Sequence, residues 1–286
     1  MKELLIISGK GGTGKTSIAG SFAALAAPIV LVDCDVDAAN LHLLLNPEIK
    51  EKHEFLGLQK AAIDKEKCTG CKLCEEICHF DAITDGVVSP FLCEGCAFCF
   101  YVCPEKAISL QDNVCGHWFI SKTKYGPLVH AKLGIAEDNS GKLVAEVRKN
   151  ARATAQEHNI DFIITDGPPG IGCPVISSLS GIDLALIVTE PTLSGIHDLK
   201  RVVGLAKHFG IKTAVCINKY DISEENTRSI EAYCFEENII IAGKISFDPS
   251  VTKAMLNGKP VIEFAHLDVS KQINSMYDLL YSQITT

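Results

Sequence analysis

Between the apolar run Leu4-Leu5-Ile6-Ile7 and a helix-like run from Ile18 to Ala27 the chain reads Ser8-Gly9-Lys10-Gly11-Gly12-Thr13-Gly14-Lys15-Thr16-Ser17. No other stretch limits the fold as much. The letters satisfy G-x-x-x-x-G-K-[ST], a pattern that cradles phosphate when it stands where a strand ends and a helix begins. Both neighbours are in place here, so a glycine-rich turn that binds nothing is the weaker reading. The glycines let successive backbone N-H groups turn toward a polyphosphate, and the helix start adds its positive end. In this pattern Lys15 pairs with the β- and γ-phosphates and the Thr16 hydroxyl holds Mg²⁺.

The flanks repeat the strand-and-helix alternation. Pro28-Ile29-Val30-Leu31-Val32 is a short apolar run suited to a parallel strand buried on both faces, and it delivers Asp33, Asp35 and Asp37. Phe162 to Thr165 is a second such run, ending at Asp166-Gly167-Pro168-Pro169-Gly170. Ile182–Thr189, Thr213–Ile217 and Ile239–Phe247 read as further strands; Lys142–His158, with a basic face, and Leu193–Phe209 read as helices. The fold expected is α/β, a doubly wound, mostly parallel sheet of the P-loop NTPase type, with ligands at the carboxyl ends of its strands. Cys115 to Phe119 and the Gly126-Pro127 turn fit no element by pattern. Asp268–Ile284 reads as a mildly acidic amphipathic helix.

Between Ile63 and Leu110 the alternation gives way to a direct repeat. Cys68-x2-Cys71-x2-Cys74-x3-Cys78 is followed by Cys93-x2-Cys96-x2-Cys99-x3-Cys103. Structural zinc sites use cysteine pairs separated by a longer loop, whereas three cysteines at every third residue wrap one face of a cubane. Each half resembles the run of bacterial two-cluster ferredoxins, whose fourth cysteine serves the other cluster. That resemblance implies two [4Fe-4S] clusters, one on Cys68, Cys71, Cys74 and Cys103, the other on Cys93, Cys96, Cys99 and Cys78. His79 stands where the second half keeps Pro104. The expected division is residues 1–62 and 112–286 for the nucleotide domain and 63–111 for a ferredoxin-like insert.

The second lysine of the glycine loop narrows the class. Lys10-Gly11-Gly12-Thr13-Gly14-Lys15-Thr16 resembles the deviant Walker A motif of MinD/ParA/Mrp ATPases and of nitrogenase iron protein. The resemblance implies an ATP-dependent homodimer in which Lys10 reaches the partner's nucleotide. It also implies that Asp35 orients the attacking water, that Asp33 lies near the magnesium shell, that Asp166 contacts Mg²⁺, and that Gly167 or Gly170 meets the γ-phosphate. Asn218-Lys219-Tyr220-Asp221 fits the guanine-reading N-K-x-D pattern, but Asn218 also suits adenine; ATP is the expected nucleotide and GTP the alternative through Asp221. Pro249 would border the base. Cys34, Cys216 and Cys234 read as core residues, whereas Cys173, with Cys115, is a candidate ligand of a further metal or cluster at the dimer interface.

Lys and Arg total 27 against 35 Asp and Glu, a net charge of −8, which argues against nucleic acid or an anionic membrane as partner. With no leader pattern and no spanning apolar run, the expected location is the cytoplasm. Thirteen cysteines there suit metal ligation better than disulfides. The functional expectation is an ATPase that couples nucleotide state to electron transfer with a redox partner. The alternatives are an assembly or carrier factor serving a metalloprotein client, and a ParA/MinD-like positioning ATPase.

Overall fold

The computed structural model describes residues 1–134, 137, 140–264 and 268–285. Strand β1 (Lys2–Ser8) carries Leu4, Leu5, Ile6 and Ile7, all fully buried, so both its faces are covered. Helix α1 (Lys15–Ala26), β2 (Val30–Asp33), α2 (Leu41–Leu45) and β3 (Glu48–Leu56) follow. The cysteine segment contains β4 (Lys60–Ile63), α3 (Leu73–Glu76), β5 (Ile83–Thr84), β6 (Val87–Val88), α4 (Phe98–Val102) and β7 (Ile108–Gln111). Next come β8 (Val114–Thr123), β9 (Gly126–Leu133), α5 (Ser140–Glu157), β10 (Phe162–Pro169), α6 (Cys173–Leu179), β11 (Leu184–Thr189) and α7 (Leu193–His208). The chain closes with β12 (Thr213–Asn218), α8 (Glu224–Glu236), β13 (Ile240–Ile245), α9 (Pro249–Leu256), α10 (Val261–Phe264) and α11 (Asp268–Thr285).

Two compact units result, one of residues 1–52, 118–132 and 140–286, the other of 53–117 and 133–139. The nine-stranded sheet runs β13-β12-β11-β1-β10-β2-β9-β8-β3, and the pairs from β13 through to β9 are parallel. The strand order reverses beside β1, which puts the carboxyl ends of β1, β10 and β2 side by side, where an open α/β sheet binds its ligand. In the first unit two cores flank the sheet. Leu4 and Ile6 join one with Phe22 of α1 and Ile273, Met276 and Leu280 of α11; Leu5 and Ile7 join the other with Val175, Leu199 and Ile230. The buried stripe Val269, Ile273, Met276, Leu280 and Ile284 makes α11 a packed amphipathic helix. Among the described residues no helix is long and apolar enough to cross a membrane.

Three strands carry no clear pattern in the sequence. β3 carries Glu48, Lys50, Glu51, Lys52 and Glu54 among its nine residues and is largely exposed, and β8 and β9 are joined by a two-residue turn at Lys124-Tyr125. Gly126 has φ 140°, and any side chain there would strike the Ile29 carbonyl. It therefore opens a strand instead of forming a surface turn. The basic face expected on α5 is also corrected. Arg148 is 5% exposed and Arg152 half-buried, and both bind the buried Glu3 carboxylate at 2.9 Å, so part of that face points inward.

In the second unit β4 pairs antiparallel with β7 and β5 with β6, the latter through an Asp85-Gly86 turn with φ of 46° and 73°, as a type I′ hairpin requires. The repeat in sequence is a repeat in backbone. Gly70 and Gly95 have φ of 71° and 68°, Lys72 and Ala97 61° and 63°, Asp81 and Lys106 50° and 48°. Each half also donates an N-H to its fourth cysteine, from Ala82 to Cys78 Sγ and from Ala107 to Cys103 Sγ, both at 3.4 Å. Glu137 ties the segment after β9 to the rest of this unit through Lys60 and Asn113.

Candidate functional site

Ser8 ends β1 and turns the chain by donating its hydroxyl to the Lys10 carbonyl at 2.6 Å. Gly12 and Gly14 take φ of 78° and 96°, open to glycine without strain. A side chain at Gly9 would collide with Asp198, and one at Gly14 with the amide of Asn218, whose Nδ2 donates to the Thr13 carbonyl at 2.8 Å. At Gly11 and Gly12 a side chain would meet nothing within 4 Å. The loop is thus braced from behind and open in front. Thr13, Lys15 and Ser17 are buried beneath it, with the Ser17 hydroxyl 3.0 Å from Met255 Sδ.

Sheet register then sets acids against this loop. Asp166 of β10 lies level with Ile6 of β1 and with Asp33 of β2. Asp166 accepts a hydrogen bond from Thr16, yet its buried Oδ1 has no partner. Burial raises its pKa to about 6, against the pull of Lys15 and Thr16, with Asp35 adding to the rise. Such a carboxylate oxygen beside the Thr16 hydroxyl fits the usual Mg²⁺ arrangement of one or two protein oxygens plus waters and phosphate. Burial also raises Asp35, which Lys15 draws back down. Asp33, level with Asp166, uses its two oxygens to accept the backbone N-H groups of Asp35 and Leu41, each at 3.1 Å. It shapes the loop that carries Asp35, and burial followed by repulsion from Asp166 raises its pKa well above the carboxylate range. Asp37 is exposed.

Lys10 points at its own chain, with Nζ 3.3 Å from Thr192 Oγ1, 3.4 Å from Ser194 Oγ and 3.6 Å from Glu190 Oε2. Glu190 holds Lys219 as well. The sequence reading passed over Glu190; the signal for it was an acid at the carboxyl end of a buried strand. The Gly170 N-H donates to the Ser8 carbonyl at 2.9 Å. Gly167 lies inside β10, where a side chain would meet Ile7 and Leu5. In this arrangement Gly170 is closed onto the base of the loop, its N-H already engaged. On the base side, one Asp221 oxygen accepts the Phe247 N-H at 2.7 Å and Pro249 opens α9. Cys34, Cys216 and Cys234 are buried, as expected of core residues. Cys173 is exposed at the first residue of α6, and Cys115 is fully buried in the other unit.

The repeat cysteines of the second unit gather in two sets. Cys68, Cys71, Cys74 and Cys103 line a cavity of about 380 Å³; Cys78, Cys93, Cys96 and Cys99 line one of about 40 Å³. The fourth cysteine of each half has crossed to the other half's cavity. Among the described residues no three His, Cys, Asp or Glu side chains converge closely enough to hold a single metal ion. The thiols surround a hollow, whereas zinc draws its four thiolates to one point at about 2.3 Å.

A glycine loop between strand and helix, a lysine and threonine at the helix start, and an acid on the neighbouring strand define a P-loop ATPase on a mostly parallel α/β sheet. The chain belongs to the CobQ/CobB/MinD/ParA nucleotide-binding-domain family, whose profile matches residues 4–261. An uncharacterized protein of Methanocaldococcus jannaschii is 34% identical over 281 residues, covering 97% of this chain and 96% of its own. The septum site-determining protein MinD of Bacillus subtilis is 22% identical over 269 residues, 91% of this chain and 81% of that one. Among solved structures, MinD of Pyrococcus horikoshii complexed with Mg-ADP superposes with a TM-score of 0.60 at 19% identity, covering 98% and 95% of the two chains. The McdA(D38A)–ATP complex of Cyanothece gives 0.62 at 18%, covering 98% and 96%.

Proposed function

We propose that this chain is a dimeric ATPase whose nucleotide state governs electron exchange at two [4Fe-4S] clusters, held by Cys68, Cys71, Cys74 and Cys103 and by Cys78, Cys93, Cys96 and Cys99. One observation carries the reading: the quartets implied by the ferredoxin spacing rule are the quartets that line the two cavities. The clusters, when bound, supply one-electron transfer.

The chain's own residues do the rest. The loop from Gly9 to Gly14 turns its N-H groups to the phosphates of ATP, Lys15 neutralises the β- and γ-phosphates, and Thr16 with Asp166 holds Mg²⁺. Asp35, within electrostatic reach of Lys15, orients the attacking water; phosphoryl transfer needs placement and charge neutralisation more than a nucleophilic side chain. Lys10 leaves Glu190, Thr192 and Ser194 to reach the nucleotide across a dimer interface. Gly170 leaves the Ser8 carbonyl when a γ-phosphate is present and returns when it is lost, a change of the kind that releases switch loops. Asn218 and Pro249 border adenine, while Asp221, with one oxygen on Phe247, is poorly placed to read guanine.

Iron and sulfide quantitation on anaerobically purified protein tests the reading. About eight irons per chain are expected, halved in Cys96→Ser; iron near zero in protein that still hydrolyses ATP overturns it. Lys10→Ala should abolish ATP-dependent dimerisation and leave the visible absorbance unchanged. The likeness to septum site-determining MinD over 91% of this chain supports a second reading, a positioning ATPase. That reading serves the nucleotide unit equally well but gives the two cysteine quartets no task. An ATP-dependent change in the rate of electron exchange separates the two, and cluster transfer to an apo-protein would instead mark a carrier.

A further inference from the structure

The two cysteine cavities are built on matched backbones but stand in unlike surroundings. We infer that the residues around them set the two clusters to different reduction potentials in a fixed order, with the cluster on Cys78, Cys93, Cys96 and Cys99 the harder to reduce. The inference rests on the cluster-bearing reading above.

The internal repeat supplies the control. Equivalent loop residues share their φ values, and each half gives its fourth cysteine one N-H at 3.4 Å, so the bond to that cysteine does not separate the sites. Formal charge does not separate them either. The first cavity sets Lys65 and Lys72 against Glu75, Asp85 and Glu105, the second has Glu94 alone, and both come to −1. Of the terms that tune such a cluster, solvent access is left as the one that differs at large scale.

Three observations put the second site in the drier place. Its cavity is about 40 Å³ against about 380 Å³, and beside apolar residues such as Ile77, Ile83 and Phe98 it has Glu94 as its one charged lining residue, where the first, beside Ile63, Leu73 and Ile108, has five. A side chain at Gly95 would strike the Gln59 carbonyl at 2.5 Å and Leu58 Cβ at 2.9 Å, whereas one at Gly70 would meet nothing within 4 Å. The second cysteine loop is therefore covered by residues 58–59, and the first is open. Within the loops themselves, Thr69 and Lys72 of the first half correspond to Glu94 and Ala97 of the second. The net charges tie, but their placement within the loops differs, and a lysine in the open loop with a glutamate in the covered one acts in the same direction as solvation.

The sign follows from charge. Reduction adds one electron to a site already anionic through its four thiolates, with no bond made or broken and no proton moved. Burial penalises the more highly charged state, so the covered site resists the electron and the open site accepts it. An electron supplied by a low-potential one-electron reductant therefore rests at Cys68, Cys71, Cys74 and Cys103.

An EPR-monitored redox titration of the anaerobic holoprotein, with dithionite as reductant and mediator dyes, tests this. Two one-electron waves are expected, separated by at least tenfold in equilibrium constant, about 59 mV. Lys72→Ala should lower only the upper wave and Ala97→Lys should raise only the lower one. Lys72 already occupies the same left-handed backbone conformation that Ala97→Lys would need, and the iron count reports whether each variant remains loaded. Coincident waves, or Ala97→Lys moving the upper wave, overturn the order. Absence of iron overturns instead the reading beneath it.

Discussion

The nucleotide loop rests on a sheet buried from both sides, with Leu4 and Ile6 in one core and Leu5 and Ile7 in the other. Among the described residues the cysteine unit packs a buried cluster of Ala61, Ile83, Cys99 and Ile108, and one of those four is itself a thiol. The first region is shaped by apolar packing whether or not a ligand is bound. The second is a unit of residues 53–117 and 133–139 whose buried cluster holds two isoleucines, and domains of that size with so small a core usually rely on disulfides or metal. On the proposed cluster-bearing reading, what differs is where function and stability meet: below the loop they are separate residues, and in the cysteine unit they are the same ones.

Stripping the proposed clusters should break the comparison most visibly. Treatment with a chelator and a mild oxidant is expected to abolish amide-exchange protection across residues 60–111 while β1, β10 and α1 keep theirs. Retained protection in the iron-free insert would show that its apolar cluster suffices. Next in size is Lys15→Ala, expected to slow ATP hydrolysis at least about 100-fold, as removal of a charge-stabilising group does. Lys15 belongs to neither apolar core, so the cluster absorbance should stay in place, while the unfolding midpoint moves only through the lost attraction to the buried Asp166 and to Asp35; phosphate release, absorbance and thermal melts read the three. Ile164→Ala removes a fully buried side chain of β10 and should cost the first unit about 2–5 kcal/mol. Ile108→Ala should act only on the transition of the cysteine unit, which urea unfolding followed at both the peptide and the cluster bands would resolve.

The two regions were also unequally legible in sequence. Apolar runs ending in Ser8, Asp33 and Asp166 announced the central strands, because strands buried on both faces are apolar throughout. The cysteine quartets were legible because ligand spacing is a local geometric requirement. The sheet edge was not. In β3, Glu48–Leu56 is rich in charge because the strand is exposed, and Gly126 is a glycine because Ile29 lies against it, a contact between residues far apart in the chain. Arg148 illustrates the same limit, since helix spacing put it on a polar face while its true partner is Glu3. The one local hint was a glutamate inside an otherwise apolar strand. Lys10 was identified at once, but Glu190, which holds it, was not, because that pairing exists only after β1 and β11 are side by side.

Acid titration gives the finest test, since two buried groups of the first unit oppose each other. Burial, reinforced by His42, holds His130 neutral with a pKa down at about 4; Ser121 lies 3.0 Å from its Nε2 and Phe119 stacks on its ring. Its unfolded value is about 6.5. Between those values the unfolded chain binds a proton that the native chain refuses, so stability is full above pH 6.5 and falls as the pH drops toward 4. Asp166 runs the other way. Its native pKa of about 6 lies above the unfolded value near 3.9, so over the pH range between them acid favours the native state. The wild-type profile should therefore be flatter than either group alone would make it. His130→Gln keeps a hydrogen-bonding partner for Ser121 but cannot titrate, and its stability relative to wild type should grow by about 3 kcal/mol from pH 6.5 to pH 4. Urea unfolding at half-unit pH steps measures that difference directly. A constant difference across the range would mean that His130 takes up its proton in the native state as readily as in the unfolded chain.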